Sequence, residues 1–182
     1  MRAFVVGLLL LTTSTTWGQG LNYSAPKQTI RLDFGITVFS DVNSNIGGYA
    51  NASYEYAFME HFAAEVSLNT AQRQSSNYVG SHASRYGMGL NIIGRLYGTK
   101  NPYDVKIYGG ARYGSHFFTI LEENNGIIEA VDGVRRDGFS PVVGVGYEHR
   151  LGDWLLTLDF NMSIENDFNS FPSLAIGTGY RF

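Results

Sequence analysis

The stretch Ile30-Arg31-Leu32-Asp33-Phe34-Gly35-Ile36-Thr37-Val38 alternates without a break between apolar residues and polar or small ones. A period of two puts successive side chains on opposite faces of an extended chain, so the stretch predicts a β-strand with one apolar and one polar face. Two charges, Arg31 and Asp33, share the polar face with Gly35. The same pattern, with the same mixture of charge and glycine on one face, recurs along the rest of the chain.

Working outward, further strands are predicted at about 48–56, 62–69, 85–95, 105–114, 143–148, 156–163 and 174–182. In the second, Ala50, Ala52, Tyr54 and Tyr56 oppose Asn51, Ser53 and Glu55; in the fourth, Tyr86, Met88, Leu90 and Ile92 oppose Arg85, Gly87, Gly89, Asn91 and Arg95. Eight strands of about 9–12 residues suit a tilted membrane-spanning strand. Helical spacing is not sustained. The connections alternate in length. Those around 58–60, 98–102 and 152–153 are short; those around 40–46, 71–81, 119–138 and 165–171 are longer. This predicts an all-β protein: an eight-stranded antiparallel up-and-down transmembrane β-barrel, with short periplasmic turns and longer extracellular loops.

Alternation alone does not say which face looks out, and a soluble eight-stranded barrel carries its apolar face inward. Two features decide for the reverse. One parity class holds nearly all strand charges: Arg31, Asp33, Glu55, Glu65, Arg85, Arg95, Lys106, Arg112, Glu148, Asp159 and Arg181. A Lys or Arg facing lipid at mid-depth costs about 2–4 kcal/mol, so lipid contact enforces such segregation. The charged class is also the glycine-rich class, which makes room for long side chains inside a narrow barrel. Eight strands enclose a space that side chains fill, so these eleven residues are expected to form an interior ion-pair network and not a channel.

Composition agrees. Charged residues are 16% and aromatics 14%, with 12 Tyr, 12 Phe and 22 Gly; an ordinary soluble domain carries about 25% charge. Cysteine is absent, which excludes disulfides, a cysteine zinc site and a thiol nucleophile. A net charge of −3 gives no footprint for nucleic acid. At the N-terminus, Arg2 precedes an apolar run from Ala3 to Leu11 broken only by Gly7, and Thr16 and Gly18 form a small-x-small site. Residues 1–18 therefore read as a cleaved signal peptide, with 19–182 as one barrel domain.

The ending Ile176-Gly177-Thr178-Gly179-Tyr180-Arg181-Phe182 resembles the C-terminal signal of outer-membrane barrels. Tyr108-Gly109-Gly110-Ala111-Arg112-Tyr113-Gly114 and Gly144-Val145-Gly146-Tyr147-Glu148-His149-Arg150-Leu151-Gly152 resemble the fifth strand and the following strand and turn of small OmpA/OmpX-like barrels, the outer membrane protein β-barrel domain family. The resemblance spans essentially the whole mature chain. It implies a bacterial outer-membrane location and a structural or surface-interaction role through the extracellular loops. The implied partners are outer-membrane lipid and lipopolysaccharide, the barrel assembly machinery, which would read Ile176, Thr178, Tyr180 and Phe182, and an extracellular ligand or host surface at the loops. Because the chain stops at that Phe, no peptidoglycan-binding domain is expected.

No catalytic, cofactor or metal residue is assigned. His82-Ala83-Ser84 is similar to the His-x-Ser pair of outer-membrane lipid A deacylases, but Arg85 stands where that family has Asn, and every strand carboxylate lies on the opposite face. Base and nucleophile need a third group to orient the histidine. His61, His116 and His149 have no metal-ligand spacing. The segment 119–138 reads as a solvated charged loop, with Ile127, Ile128 and Val131 allowing a β-tongue. Trp154, Tyr56, Tyr97, Tyr103, Tyr147, Tyr180 and Phe182 are expected as an aromatic girdle at the short-turn end. Two further readings compete with the surface role: a narrow pore, and a lipid A deacylase-like hydrolase.

Overall fold

A computed structural model of the chain describes residues 28–39, 45–74, 82–98, 101–124, 127–164 and 170–182. The predicted signal peptide and the tips of the longer loops lie outside the described residues. The described part is a closed antiparallel barrel in which each strand pairs with its sequence neighbours and the last pairs with the first. The strands are β1 Gln28–Phe39, β2 Asn45–Ala57, β3 Phe62–Gln74, β4 His82–Arg95, β5 Tyr103–Asn124, β6 Ile127–Leu151, β7 Trp154–Ile164 and β8 Ser170–Arg181. Closure sets Thr29 against Arg181 and Thr37 against Ser173. It ends with Gln28 and Phe182 exchanging backbone hydrogen bonds of 3.0 and 2.9 Å.

The alternation in sequence becomes alternation in burial: β7 and β8 switch between exposed and buried residue by residue. Two short turns use glycine in the left-handed region, Gly98 at φ 77° and Gly152 at φ 68°, a conformation that costs glycine little.

Two strands run well past the expected 9–12 residues: β5 has 22 and β6 has 25. The segment 119–138, read from sequence as a charged loop with a β-tongue as the alternative, continues the β5–β6 ladder to the pair Asn124 and Ile127, with one register shift between Phe118 and Ile120. β4 leaves β5 at the pair Ala83 and Phe118, and β7 leaves β6 at Val142 and Ser163. A two-stranded ribbon therefore projects beyond the barrel wall. Its acidic residues suggested a loop, but a ribbon in water solvates both faces, and the β-branched and aromatic residues of 117–121 and 127–134 favour pairing.

Interior packing is mostly polar. Among the described residues, apolar burial is mostly in two small groups, with Leu155 buried apart from them. One is Phe39, Tyr49, Ala71, Ala83, Phe171 and Ala175; the other is Ala57, Ala63, Ile93, Tyr108 and Val142. Large apolar side chains cover the outside instead, among them Phe34, Leu68, Leu90, Ile107, Phe139 and Ile176, each more than half exposed.

Candidate functional site

The residues singled out by sequence converge on the barrel interior. Arg31, Asp33, Glu55, Glu65, Arg85, Arg95, Lys106, Arg112, Glu148, Asp159 and Arg181 are all buried. They come from all eight strands, so contacts among them tie together strands that do not pair.

Arg31 is one hub. Its Nε lies 3.1 Å from Asp33, and its amino groups lie 2.8 Å from Glu65, 3.6 Å from Glu148 and 3.8 Å from Asp159. Glu148 is the other hub, 2.7 Å from Arg95, 3.6 Å from Lys106 and 3.7 Å from Arg150. Lys106 reaches Asp159 at 3.0 Å, and Arg95 also binds Glu55. Neutral donors complete the shell. Asn51 and Thr157 donate to Asp33 at 2.9 Å each, and Asn91 donates to Glu65 at 2.9 Å. Such pairs are tolerable in a low-dielectric interior because opposite charges stand close together there.

The loop-side end of the interior has a different chemistry. Arg85 stacks 3.9 Å above Phe171 and donates to Ser163, and Arg73 lies 5.6 Å from the Phe39 ring. His116 packs between Phe39 and Phe171, at 6.1 and 5.4 Å. Arginines set on aromatic rings close this end. Between the two ends, interior cavities are of about 10 Å³ each, room for about one water. One is lined by Arg112, Tyr49, Asn161 and Asp159 among others; the second by Glu55, Arg95 and Arg181 among others.

Several interior charges were missed by sequence. Asp104, fully buried, binds Arg150 at 3.3 Å, and Arg73 and His116 are buried as well. All four have inward parity. Extending β5 at both ends, β3 by two pairs and β6 by one would have found them. Glycines make the room that the sequence suggested. A Cβ at Gly177 would overlap the Asp33 carboxylate, and one at Gly146 would meet Lys106 and Asp159.

His82 and Ser84 pair across the β3–β4 ladder with Gln74 and Gln72. Among the described residues, no group of three or more His, Asp or Glu is placed to hold a metal ion. His61 Nδ1 donates to the Arg95 carbonyl at 2.9 Å, and His149 pairs with Tyr103, so both stand at the short-turn end. Ile176, Thr178 and Tyr180 on β8, and Phe182 directly after it, are exposed on the outside. Trp154 packs on Tyr180 at 5.3 Å, Tyr180 on Phe182 at 6.4 Å and Tyr97 on Tyr103 at 5.7 Å. The seven residues expected as a girdle are all exposed.

No family model and no curated protein matches the chain. Solved structures do. Ail of Yersinia pestis, solved with the heparin analogue sucrose octasulfate, aligns with a TM-score of 0.61 at 17% identity, over 87% of this chain and 100% of Ail. OprG from Pseudomonas aeruginosa aligns at 0.62 and 12% identity, over 88% of this chain and 97% of OprG. Neisserial surface protein A aligns at 0.55 and 15%, over 87% of this chain and 98% of its own. At these identities the likeness is one of fold.

Proposed function

Since the chain has the fold of the small outer-membrane eight-stranded barrels, we propose that it spans a bacterial outer membrane and works there as a non-enzymatic surface protein. Export is assigned to residues 1–18, leaving 19–182 as the barrel domain. Insertion is assigned to the barrel assembly machinery, reading the outward residues Ile176, Thr178, Tyr180 and Phe182.

The observation that carries the proposal is inverted polarity. Arg31, Glu65, Lys106 and Glu148 are buried, while Phe34, Ile107, Phe139 and Ile176 are 65–72% exposed. A contiguous apolar belt of this kind is rare on a soluble monomer and marks contact with another apolar phase. Only a helix or a closed sheet satisfies its backbone in hydrocarbon, and this sheet is closed. The belt would meet outer-membrane lipid and lipopolysaccharide. The interior ion pairs would lock the strands and fill the lumen, which argues against the pore reading.

What remains for function is the loop side, where the β5–β6 ribbon projects. There the protein would meet an extracellular ligand or a host surface, as Ail, a barrel of the same fold, has been solved with a heparin analogue. The absence of cysteine makes the test clean. Single-cysteine variants Asn124→Cys, at the ribbon tip, and Asp153→Cys, in a short turn, are treated in intact cells with a membrane-impermeant maleimide. Asn124→Cys is expected to label in intact cells and Asp153→Cys only after the envelope is permeabilised. Equal labelling of both in intact cells would overturn the proposed orientation.

A further inference from the structure

We infer that the outer face of β4–β6, at the loop-side edge of the apolar belt, is a binding site for the phosphate of a membrane lipid, with Arg135 as its ligand. The inference deepens the membrane-spanning reading and rests on it.

Height comes first. From Tyr103 to Tyr113 β5 rises ten residues, which at about 3.4 Å per residue and a tilt of about 40° covers about 26 Å, the height of an apolar belt. The next outward pairs up the ladder are Ser115 with Asp137 and Phe117 with Arg135. They stand where headgroups begin.

The platform comes next. Tyr113 packs on Phe139 at 4.9 Å and Tyr86 on Phe117 at 6.3 Å, and Tyr86, Tyr113 and Phe139 are exposed. These rings make a second aromatic girdle, opposite the one at the short turns.

Arg135 sits at its upper edge. Its guanidinium lies 5.3 Å from the Phe117 ring. Its Nε donates to Asp137 at 2.9 Å and one amino group lies 3.4 Å from Ser115 Oγ. Ser115 itself donates to Asp137 at 2.5 Å. The carboxylate is thus held by two donors and orients the arginine from one side. The guanidinium fork has five donors, and the side chain is 60% exposed, so donors remain for an oxygen anion arriving from the membrane side. A forked guanidinium suits a phosphate. A dissolved anion would gain the charge-assisted contact with Arg135 and no apolar contact below it. A lipid phosphate also brings acyl chains onto Phe139 and Tyr113 directly below, which is why a lipid is the expected occupant.

The test is native mass spectrometry of the full mature barrel released from mixed micelles. Three probes are compared: phosphatidylglycerol, a galactosyl diacylglycerol without phosphate, and dissolved glycerol phosphate. Wild type is expected to retain phosphatidylglycerol, and Arg135→Gln to lose about fivefold of that retention, the scale of one charge-assisted contact. Retention of the galactolipid should be the same in both proteins, and glycerol phosphate should not be retained. Equal phosphatidylglycerol retention in the two proteins overturns the site. Arg135-dependent retention of glycerol phosphate overturns the lipid as occupant. Both proteins are first checked for a heat-dependent gel shift in detergent. A folded barrel without Arg135 dependence sinks this inference alone, whereas wild-type protein that never enters lipid as a folded barrel sinks the membrane reading beneath it.

Discussion

Replacing Arg31 with Met removes a cation placed among four carboxylates while keeping most of the side-chain volume. Breaking a buried ion pair by deleting one partner costs about 3–5 kcal/mol, because a buried charge is left uncompensated. The structure says where in that range the loss should fall. Glu148 keeps Arg95 at 2.7 Å, and Asp159 keeps Lys106 at 3.0 Å. Asp33 keeps Asn51 and Thr157 but no cation within ion-pair reach among the described residues, and Glu65 keeps only the Asn91 amide. The deficit therefore rests on two carboxylates that retain neutral donors, which points to the lower end, about 3 kcal/mol. That is about a hundredfold in the unfolding constant. The assay is urea unfolding of the barrel refolded into phosphatidylcholine vesicles, followed by Trp154 fluorescence. A loss under about 1 kcal/mol, the scale of an exposed pair, would refute the buried network.

Other consequences are equally direct. Gly177→Val would force a side chain into the Asp33 carboxylate and should cost about 1–3 kcal/mol as overpacking, read in the same unfolding assay. Ile107→Arg places a cation near the middle of the belt, where Ile107 is 68% exposed. It should cost about 2–4 kcal/mol in lipid and almost nothing if that surface faced water. At the ribbon base, hydrogen bonds from Arg135 and then Ser115 hold the Asp137 carboxyl below its usual range. A lowered value means the contribution is complete above the ordinary carboxylate range and is lost as pH falls through the lowered one. Hydrogen exchange at Ser115 and Asp137 should accordingly speed up on acidification below that range, beyond the intrinsic pH effect. The Asp137→Asn variant should show no such transition.

Much of the fold was legible because a barrel wall repeats one rule. Parity alone sorted Arg31, Glu65 and Lys106 from Leu32, Val66 and Ile107, and the glycines on the charged face indicated which side had to be crowded. Strand ends were read less well. Asp104, Arg73 and His116 belong to the same parity class but lie where the alternating pattern meets turn-forming or polar neighbours, so the strands looked shorter than they are. The ribbon was legible only as an alternative: Glu122, Glu123 and Glu129 suggest solvent, which suits a loop and a two-stranded ladder alike, while Ile127, Ile128 and Val131 allowed the β-tongue. Partner choice was not legible at all. Arg31 on β1 meets Glu65 on β3 and Asp159 on β7, strands that do not pair with β1. Those contacts depend on register and on how the wall closes, and no local pattern encodes either.

The central claim is a closed barrel whose apolar outside faces an outer membrane. It is tested most directly by fractionating the envelope of cells expressing the full chain and running the outer-membrane fraction in SDS, unheated beside boiled. A closed ladder of eight strands should resist SDS until heated, so the account predicts that the protein is in this fraction and that the two lanes differ in mobility. A single mobility, with the protein recovered in the soluble periplasmic or secreted fraction, would contradict the account and reverse the assignment of its faces.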